Sequence, residues 1–172
     1  MKILFTLISI FLFSSSTATA DESVRVGDIV VSKAWGRATI GASRPGGAFL
    51  TITNKGTAKD QLIAAQTPIA RKSELHTHTM TDSIMKMGQV MSIGIPAEGM
   101  TILEPGGVHV MMFNLKAALN EGDMFPLTLT FKDSGKATII VHVGKAGAMN
   151  SVTHRMDMAE EEHMKEDATE AQ

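Results

Sequence analysis

Between Val24 and Val143 the chain is a succession of strand-length runs rich in Val, Ile, Thr and Phe, broken at short intervals by Gly, Pro, Asn and Asp. Branched and aromatic side chains suit a pleated, half-buried surface and the interrupting residues suit tight turns, so the pattern restricts the chain to an all-β sandwich or barrel. Strands are expected over 24–38 with a break near Gly27-Asp28, then over 47–54, 61–67, 73–80, 85–90, 108–113, 125–131 and 137–143. Asn54-Lys55-Gly56, Asp82-Ser83, Pro105-Gly106-Gly107 and Asp133-Ser134-Gly135 read as the turns. Only Leu115 to Asn120 reads as briefly helical.

The first twenty residues have another character. Lys2, an apolar run from Ile3 to Phe13 and Ala18-Thr19-Ala20 form a secretory signal with cleavage expected after Ala20. Eleven apolar residues are too few for a membrane span, which needs about 20. The expected organisation is a signal peptide at 1–20, one β domain at 21–147 and a tail at 148–172, with no transmembrane segment in the mature chain. There is no cysteine. The fold therefore relies on packing without disulfides, and every site that needs a thiolate, blue copper and dithiol redox centres included, is excluded. The net charge of −2 and the absence of a basic stripe make nucleic acid an unsuitable partner.

Three segments place soft metal ligands two residues apart: His76 and His78, Met85 and Met87, His109 and Met111. Side chains at i and i+2 of a strand share a face, so each segment presents a pair in one direction. Imidazole and thioether, with no thiolate and little carboxylate nearby, favour Cu(I) over magnesium or calcium. Taken singly, each pair has a plainer reading. Met85 and Met87 suit core filling, and His76 and His78 suit a solvated edge strand. Trp35 reads as core rather than as a cover beside the site, and His142 as a structural histidine rather than a ligand. The glycines of the segment 41–47 read as a turn, since no lysine and helix follow to make a phosphate loop.

The spacing His76, ten residues, Met87, twenty-one residues, His109, one residue, Met111 resembles the signature of the PCu(A)C family of periplasmic copper chaperones. Its chance occurrence in a chain with this many His and Met is roughly one in a thousand. The flanking Glu74-Leu75-His76, Met85-Lys86-Met87, Ile95-Pro96-Ala97 and Leu103-Glu104-Pro105-Gly106-Gly107-Val108-His109-Val110-Met111 are similar to that family too, over roughly residues 26–143. The resemblance implies a cupredoxin-like (Greek-key) β-sandwich or barrel that binds one Cu(I) through His76, Met87, His109 and Met111. It implies a non-enzymatic, monomeric carrier in the periplasm that metallates the CuA centre of cytochrome c oxidase, with a copper-accepting oxidase subunit and a Sco-type thiol protein as partners. His78 and Met85 share faces with these four and stand as supporting or alternate ligands.

Beyond Gly147 the strand pattern stops. From His154 to Gln172 the chain carries net −5 together with His154, Met156, Met158, His163 and Met164, the composition of a flexible acidic tail with a second, Cu(II)-binding capacity or of a solubilising appendage. Two rival functions remain open at this level. One is a secreted zinc enzyme built on His76, His78 and His109; the other is a metal-free interaction module.

Overall fold

The computed structural model describes residues 22–81 and 84–150, with the backbone alone at 79–81, 84 and 85. The signal segment, the Asp82-Ser83 turn and the tail beyond Asn150 lie outside these residues.

Among the described residues eleven strands follow one another: β1 Ser23–Val26, β2 Ile29–Arg37, β3 Gly46–Asn54, β4 Asp60–Gln66, β5 Ala70–Thr81, β6 Ile84–Val90, β7 Ile93–Ile95, β8 Met100–Leu103, β9 His109–Leu115, β10 Met124–Phe131 and β11 Lys136–Gly144. They form one mixed sheet in the order β6-β5-β9-β3-β2-β11-β10-β4-β7, with β1 on β2 and β8 on β3. The pairing of β11 with β2 is parallel and the others are antiparallel. A single apolar cluster takes Ile29 and Val31 from β2, Leu50 and Ile52 from β3, Leu75 from β5, Val110 and Met112 from β9, and Leu127, Leu129, Ile139 and Val141 from β10 and β11. The sheet therefore wraps around its own inner face, and alternation leaves the other face to solvent and loops.

The break foreseen at Gly27-Asp28 is a two-residue hairpin. Val26 pairs with Ile29, and Gly27 takes the positive φ (55°) that such a turn demands. Residues 116–120 are not helical. Five residues cannot repay helix nucleation, and the backbone finds partners elsewhere: Lys116 N–H donates to Ile69, Thr39 N–H donates to Leu119, and Leu119 N–H donates to the Thr39 hydroxyl. β7 and β8 are additions to the expected strands, three and four residues long and too short to show periodicity.

A bulge in β2 sets which residues face outward beside the histidines. The register slips between Ser32 and Trp35, with Lys33 at φ 54°. Simple alternation from Ile29 and Val31 would turn Trp35 inward. The extra residue instead turns Ala34 toward the core and Trp35 to the outer face, where it is buried against Phe49 at a ring separation of 4.6 Å. A buried carboxylate closes the far end of the fold. Asp60, 4% exposed, accepts from the backbone N–H of Gln61 (2.7 Å), Asp133 (3.0 Å) and Ser134 (3.0 Å), tying the β10–β11 turn to β4.

Candidate metal centre

The outer face of β6, β5, β9 and β3 collects the chemically distinctive side chains, and the ladders fix how they are arranged. His78 stands directly opposite Met87, and His76 stands opposite both Gln89 on β6 and His109 on β9. Glu74 stands opposite Met111, and Met111 stands opposite Gly47. Directly opposed residues share a face, with Cβ atoms about 5 Å apart. Residues from the three pairs anticipated from i, i+2 spacing thus meet across strands, His78 with Met87 and His76 with His109.

An open cleft of about 570 Å³ is lined by His78, Met87, His109 and Met111, with Phe49, Arg37 and Arg44 among the residues around them. Pro105 and Gly106 form part of its wall, and Met87 is half exposed at its mouth. His76 is not part of the lining. Its ring centre lies 6.0 Å from that of His109, and the His78 ring centre lies 5.4 Å from His109. A metal about 2.0 Å from an imidazole nitrogen sits about 3 Å from the ring centre, so both separations lie within the reach of one shared ion. Among the described residues, however, no three His, Asp or Glu side chains are placed to hold a metal by themselves. A site here needs the thioethers.

Hydrogen bonding determines which nitrogen of each imidazole is available. His109 Nδ1 lies 3.0 Å and His78 Nδ1 3.3 Å from the Gly107 carbonyl. A carbonyl only accepts, so both Nδ1 atoms donate and both Nε2 lone pairs are left for other use. His76 is held the other way round, with Nε2 2.7 Å from Glu74 Oε2 and Nδ1 buried without a hydrogen-bond partner. Lys72 also pairs with Glu74. The bond from Lys72 first, then that from His76, holds the Glu74 carboxyl below its ordinary range against a weaker opposing effect of burial. Glu74 is therefore an acceptor, and the proton in its contact with His76 belongs to Nε2.

Burial pushes the His109 imidazolium down from its ordinary pKa. The Gly107 carbonyl opposes this shift, and the charges of His78, His76 and Arg37 reinforce it. The neutral imidazole is thereby favoured. Behind His109 lies an aromatic stack: Phe49 at 6.2 Å, Trp35 beyond it, and the Arg37 guanidinium 5.5 Å above the Phe49 ring. Gly47 makes room for that ring, since a Cβ there would come within 3.2 Å of Phe49 Cζ. Arg37 also donates to the Ala148 carbonyl at 2.7 Å, holding the segment after β11 beside the cleft.

Of the residues singled out in the sequence, His78, Met87, His109 and Met111 meet at the cleft and His76 adjoins it. Met85 pairs with Met80 along the backbone, and its side chain lies outside what is described, as do His154, Met156, Met158 and His163. His142 is exposed, with Nε2 3.3 Å from Glu22, and takes no part in the cleft. The roles of Arg37, Phe49 and the Gly107 carbonyl had no sequence signal. Glu74 had one, two residues before His76 on the same face.

The LpqE-like family model matches residues 29–143. A protein of Leifsonia xyli subsp. xyli named as a lipoprotein is 32% identical over 116 residues, 67% of this chain and 69% of its own. The copper-bound PCuAC domain of PmoF2 superposes with a TM-score of 0.62 at 22% identity, over 72% of this chain and 97% of that domain. The Cu(I) solution structure of DR1885 from Deinococcus radiodurans superposes with a TM-score of 0.52 at 28% identity, over 73% of this chain and 83% of that one. With the matched segment running from β2 to β11 and the same all-β architecture, this chain belongs to the LpqE-like family and has the fold of a PCuAC domain.

Proposed function

We propose that this protein is a periplasmic copper chaperone, a carrier and not an enzyme, that binds one Cu(I) through His76, Met87, His109 and Met111, with His78 as an additional donor. The observation that carries this reading is the cleft in which imidazole and thioether side chains meet without a carboxylate in the lining. Hard cations want charged carboxylate oxygens, which this lining lacks, whereas soft Cu(I) accepts thioether sulfur. Arg37 and Arg44 add positive charge, which penalises a divalent ion twice as strongly as a monovalent one. Thioethers form no disulfides, so the site remains competent in an oxidising compartment. They also bind weakly enough to be displaced one at a time by an acceptor's stronger ligands. We further assign delivery to the CuA centre of a terminal oxidase, alongside a Sco-type thiol protein, by resemblance to the PCu(A)C family. The name lipoprotein carried by relatives fits an extracytoplasmic location, although this chain has no cysteine to be acylated.

Competition against chelators tests the carrier directly. One equivalent of Cu(I) should bind far more tightly than Zn(II). The reverse order would favour a zinc enzyme on His76, His78 and His109, and no metal binding at all would favour an interaction module.

The tail is proposed to assist capture or transfer, with Cu(II) held by His154 and His163 beside carboxylates. Truncation before His154 should leave the melting temperature nearly unchanged, because its composition offers little apolar area to bury. It should lower Cu(II) stoichiometry or slow transfer. Identical titrations and transfer rates would reduce the tail to a solubilising appendage.

A further inference from the structure

Resting on the Cu(I)-carrying reading, we propose that Glu74, braced by Lys72, is a positioning residue that makes Nδ1 the copper-binding nitrogen of His76. Glu74 and His76 share the outer face of β5, and both are largely shielded, with side chains 10% and 12% exposed. One carboxylate oxygen accepts from His76 Nε2 at 2.7 Å, and the other is taken by Lys72. A neutral imidazole carries one N–H, so spending it at Nε2 leaves the lone pair on Nδ1. That atom is buried without a hydrogen-bond partner, a costly arrangement unless a ligand uses it.

The neighbouring histidines are held in the opposite sense. His78 and His109 give their Nδ1 protons to one backbone carbonyl, Gly107, and offer Nε2. His76, opposite His109 in the ladder, offers the other nitrogen. The site thus takes Nδ1 from His76 and Nε2 from His78 and His109. Lys72 has a second effect. Lys72 and His76 each hold one oxygen of Glu74, which turns the carboxylate toward hydrogen bonding and away from hard ligation although it stands opposite Met111, and the cleft lining stays free of carboxylate.

Long-range proton–nitrogen NMR on the full-length mature chain tests this, because Cu(I) is diamagnetic. In the metal-free protein His76 should be the Nε2–H tautomer, and adding Cu(I) should move the Nδ1 resonance of His76. Glu74→Gln keeps an acceptor oxygen and should retain the tautomer, with Cu(I) affinity within about threefold. Glu74→Ala should mix the tautomers and weaken Cu(I) about tenfold, the usual size of a lost outer-sphere partner. A Cu(I)-dependent shift at Nε2 would overturn the proposal, as would a Glu74→Ala affinity equal to or above that of the parent. Failure of the chain to bind Cu(I) would refute the carrier reading. The metal-free tautomer would still decide the hold by Glu74, and an Nδ1–H form there would overturn it. The wild-type spectra settle these points even if Glu74→Ala does not fold.

Discussion

Replacing His109 with alanine is expected to weaken Cu(I) binding by about a hundredfold, near 2.7 kcal/mol. Its imidazole has ring neighbours on both sides, His76 at 6.0 Å and His78 at 5.4 Å, and is oriented by the Gly107 carbonyl at 3.0 Å. Removing it therefore takes away both a donor and the centre of the cluster. Because His109 is buried, its alanine variant needs a thermal melt beside the titration; Met87→Ala, at a half-exposed position, should lower affinity about tenfold without touching stability. Both variants binding like wild type would place the site elsewhere. The pH profile adds an independent check. Protons compete with copper for the lone pair of His109, and burial holds its pKa below the ordinary value of about 6.5. The difference in log affinity between wild type and His109→Ala should stay constant from pH 8 to about 6.5 and narrow only at lower pH. Narrowing that begins above pH 7 would contradict the depressed value.

The second large effect is on stability. Asp60→Ala should destabilise the fold by about 2–4 kcal/mol, because it strands the N–H groups of Gln61, Asp133 and Ser134 that the carboxylate now satisfies. For a domain of this size that corresponds to a fall in melting temperature of roughly 5–15 °C. Burial acts to raise the Asp60 pKa, but the Ser134 hydroxyl and the three backbone N–H bonds outweigh it and leave the group below its ordinary value. Between the folded and unfolded values the unfolded chain binds the proton and the folded chain does not. The contribution to stability is therefore complete above about pH 3.9 and is lost as the pH falls through the folded value. Urea unfolding of wild type and Asp60→Asn at pH 7 and pH 3 measures it. A gap between the two proteins that fails to shrink at pH 3 would show that the charge of Asp60 is not what matters.

The candidate copper ligands and the carboxylate clamp at Asp60 occupy opposite kinds of position, one on the outer face and one against the interior, and this division recurs along the chain. The strands were legible because their alternation survives in order: Leu127, Leu129 and Phe131 turn inward between threonines, as a half-buried strand requires. β7 and β8 were not legible, since three or four residues carry no period. Leu115 to Asn120 misled because Leu115 ends β9 and the rest finds partners contributed from Ile69 and Thr39. Trp35 was read as core and is buried, yet it lies on the outer face against Phe49 because of the bulge at Lys33, which no residue type announced.

By itself the sequence determined the chemistry of the candidate donors. Residue identity sets whether a lone pair sits on nitrogen or sulfur, and i, i+2 parity makes His109 and Met111 share a face wherever that strand lies. Only the tertiary structure decided that His76 lies opposite His109, that His78 rather than His76 lines the cleft, and that Gly107 and Glu74 leave different imidazole nitrogens with a free lone pair. The physical reason is that cross-strand register and hydrogen-bond partners depend on how all the strands pack around one core. His76 and His109 are distant in sequence, and nothing local to either fixes where they meet.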